Sequence, residues 1–209
     1  NDDESMDLSV YVLNHLPQDN PTAAKLGDIK TTFNVSATNN NIDLDIQLGN
    51  TDSVRNEGKI SISSLFSKYM NKPKIDIQIQ PTHIILNDSA WNISRTNITY
   101  THANQTLDIH DLLLNTNYQS IKADGTASAS VNDSIDVELN NINLNYILSY
   151  TEANKAISIM GPVTGNATLY SVFSACMLEA NAKIKNGGLN GVYFGDVDAQ
   201  ARLDRESKS

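Results

Sequence analysis

The chain has 209 residues, of which 40% are hydrophobic and 6% aromatic, and its formal net charge is −9 at pH 7. This apolar content excludes a wholly disordered chain, and the acidic balance without any basic run excludes nucleic acid as a partner, because phosphate binding needs clustered Lys and Arg. A single cysteine, Cys176, excludes an internal disulfide, and no apolar run approaches the roughly 20 residues of a membrane-spanning helix.

Alternation of apolar and polar residues dominates the first half and predicts β-strands with one apolar and one polar face. A first strand is expected near residues 8–13, followed by a proline-fixed loop at residues 16–21. The alternation is strict over residues 42–48 and recurs over residues 75–79. Between these two segments, residues 64–71 carry an i, i+3, i+4 apolar stripe that predicts a short helix.

The second half repeats the strand pattern around one further helical candidate, residues 147–155. Near-matches to alternation cover residues 135–139, 142–146 and 163–169. The alternation is strict over residues 178–184 and 197–203. Asn-rich and Gly-rich sequences between strands predict turns at residues 48–50, 56–58, 132–134, 140–141 and 186–188. About 14 to 16 strands follow, in one continuous architecture over residues 1–209.

One-sided strands of this kind are typical of antiparallel sheets, whose apolar face must be covered by another sheet, by the sheet itself or by an apolar ligand. We therefore predict an all-β fold, an antiparallel sheet folded into an elongated U-shaped groove with few short helices. A closed, fully packed sandwich or barrel is the alternative. The residues predicted to line the groove are Ile42, Leu44, Ile46, Leu48, Ile75, Ile77, Ile79, Ile135, Val137, Leu139, Ile142 and Leu144.

Small side chains are predicted to lie on part of the same inner surface and to leave it underfilled, with room for acyl chains. They are Ala123, Gly125, Ala127, Ala129, Ala180, Ala182, Ala199 and Ala201. The first and last strands carry few charges to discourage pairing, so the chain is expected to associate edge to edge or to cover these edges with its terminal segments.

Catalytic signatures are missing from the sequence: it contains no Gly-x-Ser-x-Gly elbow, no His-Glu-x-x-His and no phosphate-binding loop. His110 and Asp111 could form one arm of a dyad, but no nucleophile or third ligand accompanies them in the sequence. The chain is therefore predicted not to be an enzyme and to hold no metal or other cofactor.

Two stretches resemble a known family. The first covers residues 81–93 and leads to residues 121–128; the second covers residues 159–169 and is followed by residues 191–199. Together they resemble the repetitive β region of the TamB family (translocation and assembly module subunit), within the AsmA-like group of bacterial envelope proteins. The resemblance spans residues 75–203.

This resemblance implies a β-taco, a U-shaped sheet with an apolar inside, in a periplasmic protein whose parent is anchored in the inner membrane. The implied function is movement of phospholipid between the inner and outer membranes in support of outer-membrane biogenesis. A BamA-like outer-membrane barrel is the implied partner, through parts of the parent beyond this segment, and both chain ends are expected to be boundaries within that parent. The alternative is a structural or adhesin-like β-sandwich that binds a protein or a glycan, and a glycan-acting enzyme comes third.

Overall fold

The computed structural model describes residues 5–14, 29–50, 55–86, 88–143 and 158–204. This part of the chain contains fifteen β-strands and no helix, and the pairings between strands are antiparallel. The predicted all-β, antiparallel fold class is therefore confirmed. Backbone contacts divide the chain into two units, Asn1–Thr116 and Asn117–Ser209.

Three of the predictions fall outside the described residues. They are the loop at residues 16–21, the helix at residues 147–155 and the inward position of Leu144.

The first unit is a sheet of long strands joined mainly by tight turns. Its strands are β1 (Ser5–Asn14), β2 (Ile29–Thr38), β3 (Asn41–Asn50), β4 (Glu57–Tyr69), β5 (Lys72–Ile79), β6 (Thr82–Leu86), β7 (Ser89–Ile93), β8 (Thr96–Thr101) and β9 (Thr106–Asn115). They pair in the order β1-β2-β3-β4-β5-β8-β9. The strands β6 and β7 form a hairpin in the same sheet. It lies between β4 and β9, because β6 also pairs with β4 and β7 also pairs with β9.

The helix predicted at residues 64–71 is wrong, because this segment forms the end of β4 and the turn after it. Phe66 pairs directly with Ile75 of β5, so alternate side chains of the segment point to opposite faces of the sheet. Met70 and Asn71 both have positive φ, 48° and 61°, which is the backbone of a tight hairpin turn. The pairing with β5 continues as far as Tyr69, and this tertiary partner overrides the helical spacing of the apolar residues of the segment.

Two short breaks in the first unit lie side by side, one between β5 and β6 and the other between β7 and β8. Residues 80–81 separate β5 from β6, where Pro81 has no N–H to give to a ladder, and residues 94–95 separate β7 from β8. Beside them β9 contains a residue with positive φ, Asp111 at 59°, whose carbonyl oxygen accepts a hydrogen bond from Ser94 Oγ (2.8 Å). Such irregularities bend a strand and restore its apolar side chains to the same face.

The second unit is built in the same way from fewer strands. These are β10 (Ser120–Ala127), β11 (Ser134–Ile142), β12 (Ile159–Met160), β13 (Val163–Tyr170), β14 (Met177–Leu189) and β15 (Val192–Asp204). They pair in the order β10-β11-β13-β14-β15, and the short β12 pairs with the far end of β14.

Three of the predicted turns lie wholly inside strands instead. Residues 48–50 are the end of β3 and pair with β2, because the ladder continues to Asn50. Residues 140–141 belong to β11 and residues 186–188 to β14, and these two strands shift register there. Asn141 and Asn186 have positive φ, 56° and 50°, so each sits in a β-bulge. Asn tolerates this left-handed conformation in a bulge as well as in a turn, which is why the residue type did not separate the two.

Few apolar side chains of the described residues are fully buried. They are Ile84, Ile93, Ala123, Ala127, Ile142 and Val163. Most aliphatic residues of the strands are half-buried.

Candidate functional site

The predicted groove residues of the first unit share one face of its sheet. Residues directly opposite each other on paired strands point to the same side. Leu44 lies opposite Val35 and Ile62, and Ile62 lies opposite Ile79, so the predicted residues of β3 and β5 are joined through β4 into one row. The adjacent row runs through Ala37, Ile42, Ser64, Ile77, Ile98 and Ile109. We call this surface the apolar face of the first unit, and the corresponding rows described next form the apolar face of the second unit.

In the second unit the predicted residues of β11 also lie on one face. One row contains Gly125, Ile135, Leu169, Leu178 and Leu203, and another contains Ile142, Val163, Ile184 and Val197. Val137 and Leu139 lie between these rows, and the bulge at Asn141 keeps Ile142 on the same side as Leu139.

Small residues occupy the middle of the apolar face in the second unit. Two neighbouring rows cross β13, β14 and β15, and they consist of Gly165, Ala182 and Ala199 in one and of Ala167, Ala180 and Ala201 in the other. Larger aliphatic rows flank them on both sides. The result is a low strip between two higher ridges of Leu, Ile and Val.

Several residues of the apolar face were missing from the predicted set. Phe33 and Val35 of β2 lie beside Ile46 and Leu44, and Ile60 continues the row across β4. The signal was present, because residues 33–37 alternate apolar and polar side chains.

The apolar face keeps much of its surface accessible. Its aliphatic residues on β3, β5 and β11 are half-buried, apart from the buried Ile142, and the accessible fraction is higher at the outer strands, with 50% for Leu8 and 59% for Leu203. Each Å² of apolar surface left in water forgoes about 25 cal/mol of hydrophobic stabilisation. A ligand that covers these rows would recover that free energy.

The opposite face of the first unit is polar and internally bonded. Asp45 accepts hydrogen bonds from Lys59 Nζ (2.8 Å) and Ser61 Oγ (2.6 Å), and these bonds hold the pKa of its carboxyl below the ordinary value. At Asp76 partial burial acts to raise the pKa, but hydrogen bonds from Lys74 and Thr99 outweigh it and the net shift is downward. This face is therefore suited to remain in contact with water.

The lowered pKa of Asp45 predicts an acid-dependent loss of stability. When the folded-state pKa is below the unfolded value, the stabilisation is complete above the unfolded value of about 4 and is lost as the pH falls through the folded value. We expect the melting temperature of Asp45→Asn to lie below that of the native chain at pH 6, and this difference to shrink as the pH falls below about 4. Circular dichroism melts from pH 3 to pH 7 measure it.

Asp43→Asn, on the same face of the same strand, is the matched control for removal of a charge. A deficit of Asp45→Asn that stays constant over this pH range would contradict the assignment of the hydrogen bonds to the carboxylate.

Two shallow depressions of the first unit lie on its polar side. One, of about 240 Å³, is lined mainly by Ser9, Asn34, Asp43 and Asp45. The other, of about 550 Å³, is lined by eight residues: Lys30, Thr32, Gln47, Leu48, Gly49, Glu57, Gly58 and Lys59. Leu48 is the only predicted groove residue among the linings of these two.

Side chains that could carry chemistry are scattered. His83 Nδ1 contacts Asn92 Oδ1 across the β6–β7 hairpin, and the exposed His110 of β9 lies opposite Asn97 of β8. Within the described ranges no three His, Cys, Asp or Glu side chains come together as metal ligands. The same part of the chain contains no helix that is long and apolar enough to cross a membrane.

Comparison of the chain with models of protein families, with curated proteins and with solved structures found no match. The resemblance to the TamB family therefore stays a prediction.

Proposed function

We propose that this chain is a non-enzymatic segment of a periplasmic protein, and that its apolar face binds phospholipid and conducts it between the inner and outer membranes. The observation that carries the proposal is the set of continuous aliphatic rows that are left half-buried on one side of each sheet. A sheet face of this composition is expected to be covered by apolar material in the working state.

The rows suit an acyl chain that lies against them and moves. Burial of apolar groups is non-directional and contributes about 0.8 kcal/mol for each CH₂. Successive side chains on one face are about 6.8 Å apart along a strand, so a chain that slides from one row to the next exchanges equivalent contacts. Most side chains of the rows, such as Leu44 and Ile77, offer no polar group that would hold a ligand at one place, and Ser64 carries the one hydroxyl among the row residues named above.

The cellular setting follows from the family resemblance. It favours a parent protein anchored in the inner membrane, with a BamA-like outer-membrane barrel as a partner of other parts of that parent, in support of outer-membrane biogenesis. In this arrangement the polar face, with its ion pairs Lys59–Asp45 and Lys122–Glu138, faces the aqueous periplasm.

A second candidate function is binding of a protein or a glycan, as in an adhesin-like domain. It is favoured by exposed aromatic side chains outside the strand interiors: Tyr118 (79% accessible), Phe173 in the loop after β13, and Tyr193 and Phe194 near the turn between β14 and β15. Aromatic side chains at such positions are common anchors for partners.

Site-specific photocrosslinking separates the two candidates. A photoreactive amino acid at Ile46 or Val137, on the apolar face, is expected to crosslink phospholipid when the chain is produced in a bacterial periplasm. The matched positions Gln47 and Glu138, which follow in sequence and lie on the polar face, are expected to give little lipid adduct. The adducts are read by mass spectrometry of detergent-free protein.

Equal lipid labelling on both faces, or none on either, would refute the lipid proposal. Crosslinks from position 193 to a protein or a glycan, without lipid at position 46, would support the adhesin-like candidate instead.

A further inference from the structure

Among the described residues, the strand β15 forms an edge of the second unit. It is 13 residues long and pairs with β14, and no other strand in the described ranges pairs with it. Edge strands are usually shortened, bulged or supplied with Lys or Pro to prevent pairing. Residues 197–204 contain neither Lys nor Pro and keep an unbroken register with β14. This edge therefore presents a regular row of backbone donors and acceptors.

We propose that β15 pairs antiparallel with β15 of a second copy of the chain, with Gln200 on the two-fold axis. In this register Arg202 lies opposite Asp198 of the second copy, and Ala199 lies opposite Ala201 of the second copy. The two sheets then continue as one, and the apolar face of each copy joins that of the other on the same side.

The charges of the polar face fit this register. Within one copy Arg202 pairs with Glu179 (3.4 Å) and Asp198 with Lys183 (3.8 Å). Across the two-fold axis the order of side chains becomes Glu179, Arg202, Asp198, Lys183, so that the sign of the charge alternates at every step. Opposite charges directly across paired strands stabilise the pair, and like charges destabilise it.

The sizes of the apolar side chains fit it as well. The small pair Ala180 and Ala201 continues into Ala199 and Ala182 of the second copy, and Leu178 and Leu203 continue into Val197 and Ile184. If Ala199 lay on the axis instead, Val197 would face Ala201 and the ridge would meet the low strip.

Other registers are less favourable electrostatically. If Asp198 or Arg202 lay on the axis, each would face its own copy and oppose an identical charge. With Gln200 on the axis the one like-charge pair is Asp196 with Asp204, at the ends of the shared segment. There the Asp196 carboxylate already accepts a hydrogen bond from the backbone N–H of Asn186 in the same copy (2.9 Å).

Charge reversal tests the pairing in the lipid-free, 209-residue chain. Sedimentation velocity over a concentration series is expected to show a monomer–dimer equilibrium, and Arg202→Asp to raise its dissociation constant about tenfold or more. The double variant Arg202→Asp/Asp198→Arg is expected to restore the native value within about threefold, because opposite charges again face each other across the axis. Its new contacts with Glu179 and Lys183 are the same in monomer and dimer and therefore cancel. Circular dichroism melts establish that each variant is folded.

A cysteine on the axis gives an independent readout. Opposite residues of antiparallel strands have Cα atoms about 4.5–5.5 Å apart, within the range of a disulfide. In a Cys176→Ser background, Gln200→Cys is expected to form a disulfide-linked dimer under mild oxidation. Gln47→Cys, an exposed residue on the polar face of the interior strand β3, is the matched control and is expected to remain monomeric.

Three results would overturn the proposal: a strict monomer at all concentrations, equal crosslinking at positions 47 and 200, or failure of the double reversal to restore association. Open-ended growth of assemblies would also overturn it, since it would mean that β15 pairs with β1 of the next copy. None of these outcomes bears on lipid binding by the apolar face.

Discussion

Leu44→Asp is expected to destabilise the first unit by about 3 kcal/mol, whereas Asp45→Ala is expected to cost less than about 1 kcal/mol. Leu44 is half-buried between Val35 and Ile62 on the apolar face, so a carboxylate there loses hydrophobic contact and lies among aliphatic side chains. Asp45 is its neighbour on the polar face, and its bonds to Lys59 and Ser61 are partly exposed.

The chain contains a built-in reporter for this experiment. Its single tryptophan, Trp91, lies on β7 of the first unit, so urea denaturation followed by tryptophan fluorescence reports the unit that contains Leu44. Equal losses for the two variants would mean that the two faces of β3 have been assigned the wrong way round.

The strands could be predicted from the sequence because the alternation in β3, β14 and β15 is a direct consequence of strand geometry. Successive side chains on a strand point to opposite faces. A sheet with one face in water therefore has apolar and polar residues in alternation along each strand. The assignment of Ile42, Leu44 and Ile46 to one face required nothing else.

Turns and bulges were predicted less well, since Asn serves both. Asn141 and Asn186 have the same left-handed backbone as the turn residue Asn39, and only the register of the neighbouring strand distinguishes a bulge from a hairpin end. The helix predicted at residues 64–71 failed for a related reason. The spacing of its apolar residues is a local signal, and the partner strand β5 that overrode it is not visible in the segment itself.

The candidate site was also predicted only in part from the sequence. The face to which each aliphatic residue belongs follows from alternation, but the rows that cross the strands depend on register. The row through Val35, Leu44, Ile62 and Ile79 joins residues that are up to 44 positions apart, from Val35 to Ile79, and it exists only because β4 lies between β3 and β5. The accessible fraction of these side chains depends on what covers the face, which no local pattern records.

Gly165→Ala is expected to destabilise the second unit by about 2–3 kcal/mol, although it adds a single methyl group. A Cβ atom at Gly165 would lie 2.1 Å from the carbonyl oxygen of Asn181 and 2.8 Å from the Cα atom of Ala182. Both are backbone atoms of β14, so neither can rotate away, and β13 must move from β14 with loss of ladder hydrogen bonds.

Gly49→Ala is the matched control, because a Cβ atom there meets nothing within 4 Å and neither glycine has a left-handed φ. It is expected to change stability by less than about 1 kcal/mol, in the stabilising direction if at all, since alanine reduces the freedom of the unfolded chain. Hydrogen exchange of peptides from β13 and β14 should show faster exchange in Gly165→Ala alone, and unchanged exchange there would contradict the close approach of these strands.

Gly165 belongs to the low strip of the apolar face, so its small size has a structural cause that is independent of any ligand. The alanines beside it, Ala182 and Ala199, are therefore the better positions at which to test whether the strip itself accommodates an acyl chain.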